Sequence, residues 1–148
     1  MGVQRRMRVL IVEDNNADAR LVKALVEETG MSINITLVGD GEGAIQAMES
    51  AERGEAQAPD LVLLDINLPR KNGHEVLATI REMQRMSQTY IAMCSGSTSH
   101  EDISLARRNG ANAYFEKPTG LEEMDALVRR LRQILNSLND GSNQATIF

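Results

Sequence analysis

Residues 60–65 are Asp60-Leu61-Val62-Leu63-Leu64-Asp65, four consecutive apolar residues between two acids. Such a short apolar run is typical of a strand that is buried on both faces of a parallel sheet. The chain continues as Ile66-Asn67-Leu68-Pro69, which predicts a turn directly after Asp65. A buried strand with this ending presents the Asp65 carboxylate at one edge of the sheet.

Strand-like and helix-like segments alternate on both sides of this strand. Short apolar segments predict further strands at Met7–Val12, Ile33–Val38, Tyr90–Cys94 and Ala113–Glu116. Apolar residues at three-to-four spacing predict helices at Asn15–Glu28, Glu42–Glu52, His74–Met86, His100–Asn109 and Leu121–Leu138. Because this alternation implies right-handed crossovers, we expect an α/β fold with a five-stranded parallel sheet and helices on both faces.

The length and charge of the chain narrow its class. The 148 residues suit one domain, expected over residues 1–141, with a core at about 7–138 and a short tail at 142–148. The net charge of −5 argues against nucleic acid as a partner. Three arginines of the last predicted helix are expected on its solvated face: Arg129, Arg130 and Arg132.

The sequence also limits the compartment and the redox chemistry. No apolar stretch approaches the roughly 20 residues that span a bilayer, and the first seven residues do not resemble a signal peptide. We therefore expect a cytoplasmic protein without a membrane partner. Cys94 is the single cysteine, which excludes an internal disulfide, and it is expected to be a buried, unreactive side chain. His74 and His100 lack the spacing of metal ligands and are expected at the surface.

Polar side chains follow four of the five predicted strands. Glu13 and Asp14 come after the first strand, Asp65 after the third, Ser95 after the fourth and Lys117 after the fifth. The carboxyl ends of parallel strands meet at one edge of the sheet, where α/β proteins bind their ligands. We therefore expect acids, a hydroxyl and an ammonium group to converge on one pocket.

This ordered set, together with Tyr114 in the last strand and Pro118 after Lys117, resembles the receiver domain of two-component response regulators. The resemblance covers about residues 7–138. It implies the strand order 2-1-3-4-5 and the flavodoxin-like receiver fold. It also implies a cis peptide bond between Lys117 and Pro118.

The resemblance assigns a role to each of these residues. Asp65 would be the phosphoacceptor, and Lys117 would pair with it at rest and contact the phosphoryl group afterwards. Ser95 would donate its hydroxyl to the phosphoryl group. Ser95 would then move inward and Tyr114 would rotate from an exposed to a buried position, which makes these two residues the switch.

A magnesium site is part of the same expectation. Hard oxygen ligands suit Mg²⁺, which takes only one or two carboxylates directly and keeps several waters. The resemblance implies that Asp14 binds the ion directly and Glu13 binds it through water. Asp65 and the backbone carbonyl of Asn67 would complete the protein ligands.

The implied function is that of a stand-alone response regulator rather than an enzyme, with self-phosphorylation and self-dephosphorylation as its only chemistry. A sensor histidine kinase would supply the phosphoryl group, and a downstream protein or a phosphotransfer protein would read it or receive it. The segments Glu13–Asp18 and Asp65–Gly73 resemble single-domain regulators that serve hybrid kinases and bacterial phytochromes. Signalling would use helix 4, strand 5 and helix 5. A homodimer is expected through that face or by exchange of the tail that ends in Ile147-Phe148.

Three other classes compete with this interpretation. Phosphatases of the haloacid-dehalogenase type need a second acid two residues after the nucleophile, where this chain has Asn67. Flavodoxins need a loop rich in Ser, Thr and Gly after the first strand, where this chain has Glu13-Asp14-Asn15-Asn16. A pseudo-receiver that is never phosphorylated and only binds a partner stays open as the alternative.

Overall fold

The computed structural model describes residues 6–141 of the chain. Its elements are β1 (Met7–Val12), α1 (Asn16–Glu28), β2 (Ile33–Val38), α2 (Gly41–Glu52), β3 (Leu61–Leu64), α3 (Gly73–Glu82), β4 (Tyr90–Ser95), α4 (His100–Arg108), β5 (Ala113–Glu116) and α5 (Leu121–Asp140). All the strand pairs are parallel, and the sheet order is β2-β1-β3-β4-β5. The predicted α/β fold and strand order are confirmed. The tail expected at 142–148, and the dimer contact assigned to it, lie outside the described residues.

Strand β3 lies at the centre of the sheet between β1 and β4, and all four of its residues are buried. Two separate apolar clusters cover the two faces of the sheet. One cluster joins α1 and α5 to the sheet through side chains such as Val26 and Leu131. The other joins α2, α3 and α4 through side chains such as Met48, Leu77 and Ala106. Because β3 is covered on both faces, its sequence has no polar position until Asp65.

Four helices begin, at the carboxyl edge of the sheet, with a side chain that caps the backbone. Asn15, Asp40, Asn72 and Ser99 each accept a hydrogen bond from the backbone N–H three residues later. These residue types are the ones that favour a helix N-cap. Three of these caps, Asn15, Asn72 and Ser99, follow the strands that end in the polar residues of the predicted pocket.

Helix α3 ends at Glu82, four residues before the predicted end at Met86. The turn that follows is fixed by two side chains, Glu52 of α2 and Arg81 of α3, rather than by helical hydrogen bonds. The carboxylate of Glu52 accepts hydrogen bonds from the backbone N–H groups of Arg85 and Met86. The guanidinium of Arg81 donates to two backbone carbonyls of the same turn. Among the described residues, no helix is both long and apolar enough to cross a membrane.

Candidate functional site

Three carboxylates meet at the carboxyl edge of the sheet. Val12 and Leu64 are partners in the β1–β3 register, so the residues that follow them, Glu13 and Asp65, lie side by side. Glu13, Asp14 and Asp65 each offer one oxygen atom, and these atoms lie within 4.8 Å of one another. Glu13 and Asp65 are buried, whereas Asp14 is exposed. The expected convergence of the acids is therefore present.

Asp65 is 3% exposed, and its two carboxylate oxygen atoms differ in their surroundings. Oδ2 lies 3.5 Å from Nζ of Lys117, whereas Oδ1 is buried without a hydrogen-bond donor among the described residues. Leaving a buried acceptor unsatisfied costs about 1–3 kcal/mol, and more if it is charged. A cation or a donor that comes from outside the protein would remove this cost.

The donor set fits a hard divalent cation. All the side-chain groups in the cluster are carboxylates, which suit Mg²⁺ or Mn²⁺ rather than a softer metal. Two members are buried, so a bound ion would be partly shielded from water. Asn67 follows on the same loop and its side chain is exposed, while the role of its backbone carbonyl stays a prediction.

Lys117 lies among three carboxylates rather than beside one. Its Nζ is 2.7 Å from Glu13 Oε2, 2.9 Å from Asp18 Oδ2 and 3.5 Å from Asp65 Oδ2. The expected resting pair with Asp65 is present, but it is the longest of the three contacts. Burial by itself would lower the pKa of Lys117, yet the hydrogen bonds to Glu13 and Asp18 outweigh burial and raise it above its usual value.

Asp18 is a member of the site that the sequence interpretation did not single out. It lies in the first turn of α1, on the helix that leaves the carboxyl end of β1. Its position four residues after Asp14 could have indicated this role, since the first turn of a helix that follows a strand lies at the carboxyl edge of the sheet. With Asp18, the site contains four carboxylates, and three of them contact the ammonium group of Lys117.

Glu13 shows the effect of this excess of negative charge. Burial and repulsion from Asp65 raise the pKa of Glu13, although Lys117 and the backbone N–H of Asn15 oppose the shift by hydrogen bonding to its carboxylate. The ionised form of Glu13 is therefore destabilised in this pocket. A divalent cation bound to these acids would relieve that destabilisation.

The peptide bond between Lys117 and Pro118 is trans, which corrects the expected cis bond. The trans form of an X-Pro bond is the more stable one by about 0.5–1 kcal/mol in the absence of other contacts. Lys117 is instead placed by its own contacts. Its backbone N–H donates to the carbonyl of Ser95 at 2.8 Å, and its ammonium group reaches the carboxylates.

The two predicted switch residues are joined through Ser97. Ser95 is fully buried, and its Oγ accepts a hydrogen bond from the backbone N–H of Ser97 at 3.1 Å. The hydroxyl of Tyr114 donates to the carbonyl of Ser97 at 2.9 Å. Tyr114 is half-buried and packs against the core, so the exposed resting position expected for it is not observed. Its hydrogen bond to the loop after β4 explains the difference.

His74 is buried, which contradicts the expected surface position. Its Nε2 lies 3.0 Å from Asp102 Oδ1, and Asp102 Oδ2 accepts a hydrogen bond from Oγ of Ser97 at 2.7 Å. His74 thus ties α3 to α4 and, through Asp102, to Ser97 in the loop after β4. The hydroxyl of Ser97 and then His74 lower the pKa of the Asp102 carboxyl. His100 is exposed, as expected.

The remaining reactive side chains play no part in the pocket. Cys94 is buried as predicted, and burial raises the pKa of its thiol to about 12, so it is not a thiolate nucleophile at neutral pH. The arginines of α5 are exposed, as predicted. Arg130 lies over the ring of Phe115, and Arg132 donates to the carbonyl of Thr29.

Sequence comparison finds the same family along most of the chain. The family model of the response regulator receiver domain matches residues 9–129. The probable methanogenesis regulatory protein FilR2 of Methanothrix harundinacea (strain 6Ac) is 34% identical over 125 residues, which are 84% of this chain and 81% of that protein. The response regulator Rcp1 of Synechocystis sp. is 29% identical over 82% of this chain and 83% of its own length.

Structure comparison leads to the same group of proteins. The phosphorylated cyanobacterial phytochrome response regulator RcpA is similar with a TM-score of 0.78 and 28% identity, over 94% of this chain and 98% of that chain. The Mn²⁺-bound form of response regulator Rcp1 has a TM-score of 0.75 and 26% identity, over 93% of this chain and 98% of that chain. From the fold, the acidic pocket and these matches, the chain belongs to the response regulator receiver domain family.

Proposed function

We propose that Asp65 accepts a phosphoryl group from a phosphohistidine of a sensor histidine kinase, in a reaction that depends on Mg²⁺. The observation that carries this proposal is the surroundings of the Asp65 carboxylate. One oxygen is buried without a donor among the described residues, while Glu13, Asp14 and Lys117 lie around it. A nucleophilic carboxylate needs a free lone pair and nearby positive charge, and this pocket has both features.

The transfer forms one bond and breaks another. An oxygen of Asp65 attacks phosphorus, the P–N bond to the kinase histidine breaks, and the histidine nitrogen retains the electron pair. Bound Mg²⁺ would supply charge neutralisation between the anionic carboxylate and the anionic phosphoryl group. Glu13, Asp14, Asp65 and the carbonyl of Asn67 would hold it.

Lys117 and Ser95 supply the contacts that the phosphoryl group needs after transfer. Lys117 Nζ is 3.5 Å from Asp65 Oδ2 and can move to a phosphoryl oxygen on that side. The Ser95 hydroxyl is buried at the end of the neighbouring strand β4. When Ser95 donates to the phosphoryl group, its hydrogen bond with Ser97 changes, and Tyr114 is held by Ser97 as well. The phosphorylation signal would therefore reach Tyr114 through the loop after β4.

The signalling surface would be the face formed by α4, β5 and α5. Tyr114 belongs to β5, so a change at this residue alters that face directly. A downstream protein, a phosphotransfer protein or a second copy of the chain are the partners that this surface would serve.

We also propose a kinase of the phytochrome type as the phosphoryl donor. The similarity to the phytochrome response regulator RcpA supports this class of partner. The chain would act as a phosphoacceptor rather than as an enzyme that turns over a substrate.

A phosphotransfer experiment tests this function. Radiolabelled phosphorylated histidine kinases, one of the phytochrome type and one of another type, are mixed with the wild type and with Asp65→Asn. We expect label to move to the wild type in the presence of Mg²⁺, faster from the phytochrome kinase, and never to Asp65→Asn. The exposed carboxylate variant Asp125→Asn should be labelled like the wild type. Absence of label from both kinases and from small donors would favour the pseudo-receiver, which only binds a partner.

A further inference from the structure

Asp18 is the second anchor of the Lys117 ammonium group. Its Oδ2 lies 2.9 Å from Nζ, close to the 2.7 Å contact with Glu13 and well inside the 3.5 Å contact with Asp65. Charge-assisted hydrogen bonds between nitrogen and oxygen have lengths of about 2.7–2.9 Å. Lys117 therefore makes short charge-assisted hydrogen bonds to Glu13 and Asp18, whereas its contact with Asp65 is long and weak.

Two cations would compete for Glu13 in this pocket. Glu13 is the closest partner of Lys117, and it is also one of the three carboxylates that can hold a metal ion. An ammonium group and a divalent cation repel each other, so binding of both to the same carboxylate weakens the binding of each. Asp18 does not belong to the three-carboxylate group, and its side chain is 38% exposed at the rim of the pocket.

We propose that Asp18 is a positioning residue that holds Lys117 at the rim of the pocket, so that Glu13 and Asp65 remain available to Mg²⁺. This inference rests on the proposed metal-dependent function of the same site. Without Asp18, the ammonium group would settle on Glu13 and Asp65 and would compete with the ion for their oxygen atoms. Asp18 thus raises the Mg²⁺ affinity of the pocket through Lys117.

Two simpler roles of Asp18 make different predictions. An acid in the first turn of a helix stabilises that helix through the helix dipole. That role predicts a loss of stability without a change in Mg²⁺ affinity. A purely long-range charge effect predicts the same loss of affinity whether or not Lys117 is present.

A double-mutant cycle separates these roles. The dissociation constant of Mg²⁺ is measured by calorimetry for the full chain as wild type, Asp18→Asn, Lys117→Met and the double variant. We expect Asp18→Asn to weaken Mg²⁺ binding about tenfold in the wild-type background, as outer contacts of metal sites do. In the Lys117→Met background, the same change should alter the constant by about twofold or less, because only screened charge remains.

Two further variants complete the test. Asp18→Glu should restore most of the affinity, since it keeps a carboxylate within reach of Lys117. Glu116→Gln removes the same charge from the exposed residue next to Lys117 and should leave the affinity unchanged. Circular dichroism of each variant confirms that it is folded.

The ammonium group itself provides a readout that does not depend on metal affinity. In ¹⁵N-labelled protein, the Lys117 ammonium signal is assigned by its absence from Lys117→Met. We expect this signal to persist in the wild type when Mg²⁺ is added. In Asp18→Asn, the addition of Mg²⁺ should abolish the signal, because the ion displaces the ammonium group from Glu13 and Asp65.

Several outcomes would overturn the inference. Equal losses of affinity in the two backgrounds would reduce Asp18 to a distant charge, and no loss in either would leave it with a structural role only. If the wild type binds Mg²⁺ and Asp18→Asn binds it with the same dissociation constant, only this inference is contradicted. A wild type that does not bind Mg²⁺ contradicts the proposed function and this inference together.

Discussion

The α-carbon of Gly73 packs directly against the backbone carbonyl of Asp65. A β-carbon at Gly73 would overlap that carbonyl and would also approach the α-carbon of Ile66 too closely. The backbone N–H of Gly73 donates to the carbonyl of Ile66 at 2.8 Å. The start of α3 therefore packs tightly against the backbone of the proposed phosphoacceptor.

Replacing this glycine should destabilise the protein. We expect Gly73→Ala to lower the free energy of unfolding by about 2–3 kcal/mol, because the backbone around Asp65 must shift to admit the extra carbon. Gly39→Ala is the matched control, since a β-carbon there meets no atom within 4 Å, and its effect should stay within about 1 kcal/mol. Urea denaturation measures both, and equal stability of the two variants would contradict the close packing.

Mg²⁺ should stabilise the folded protein through the acidic pocket. A ligand at ten times its dissociation constant raises the free energy of unfolding by about 1.4 kcal/mol. We expect this gain for the wild type and for the exposed variant Asp125→Asn, and little or none for Asp65→Asn or Asp14→Asn. Denaturation with and without Mg²⁺ provides the measurement, and a chelator should reverse the gain. If Mg²⁺ stabilised Asp65→Asn as much as the wild type, the ion would bind outside the acidic pocket.

Arg81 should be one of the most sensitive positions outside the pocket. Its guanidinium donates to the carbonyls of Ser87, Thr89 and Gly110 and to the side chain of Asn112, at 2.7–2.9 Å. We expect Arg81→Met to lower the free energy of unfolding by about 3 kcal/mol, because several carbonyls lose their hydrogen-bond donor. Arg81→Lys should recover only part of this, since an ammonium group cannot reproduce the planar fork.

The exposed Arg108→Met is the matched control for Arg81→Met and should change the stability by about 0.5 kcal/mol or less. Chemical denaturation of the three variants compares them directly. A mild effect of Arg81→Met would mean that other groups satisfy these carbonyls.

Asp102 should contribute stability that disappears in acid. The hydroxyl of Ser97 and then His74 lower the pKa of this carboxyl below its ordinary value of 3.8. A group with a lowered pKa in the folded state stabilises the protein above its unfolded pKa, and the contribution is lost as the pH falls through the folded value. Asp102→Asn should therefore be less stable than the wild type at neutral pH, and the difference should narrow below about pH 4.

Denaturation curves between pH 3 and pH 7 measure this difference, with Asp125→Asn as the exposed control. A difference between Asp102→Asn and the wild type that stays constant down to pH 3 would contradict the ionic role of Asp102.

The parts of the fold that the sequence predicted are those set by local patterns. The apolar run before Asp65 identifies the central strand because a doubly buried strand has no room for polar residues. The helix predicted from Asn15 begins there because the Asn15 side chain accepts a hydrogen bond from the backbone N–H three residues on. The strand order, by contrast, came from the family resemblance rather than from any local pattern.

The features that were missed depend on contacts between residues far apart in the chain. Lys117 meets Asp18 across 99 residues, and His74 meets Asp102 across 28 residues. The early end of α3 depends on Glu52, which caps the following turn from more than 30 residues away. Periodicity reports which face of an element is apolar, but it does not report which polar groups another element brings to it.

Intact mass after treatment with phosphoramidate tests whether Asp65 is the phosphoacceptor. The wild type, Asp65→Asn and Asp125→Asn are incubated with the donor in the presence and absence of Mg²⁺. We predict that the wild type and Asp125→Asn gain the mass of one phosphoryl group only with Mg²⁺, and that Asp65→Asn gains none. An equal gain in Asp65→Asn, or no gain in a folded wild type that binds Mg²⁺, would contradict the assignment of Asp65 as the phosphoacceptor.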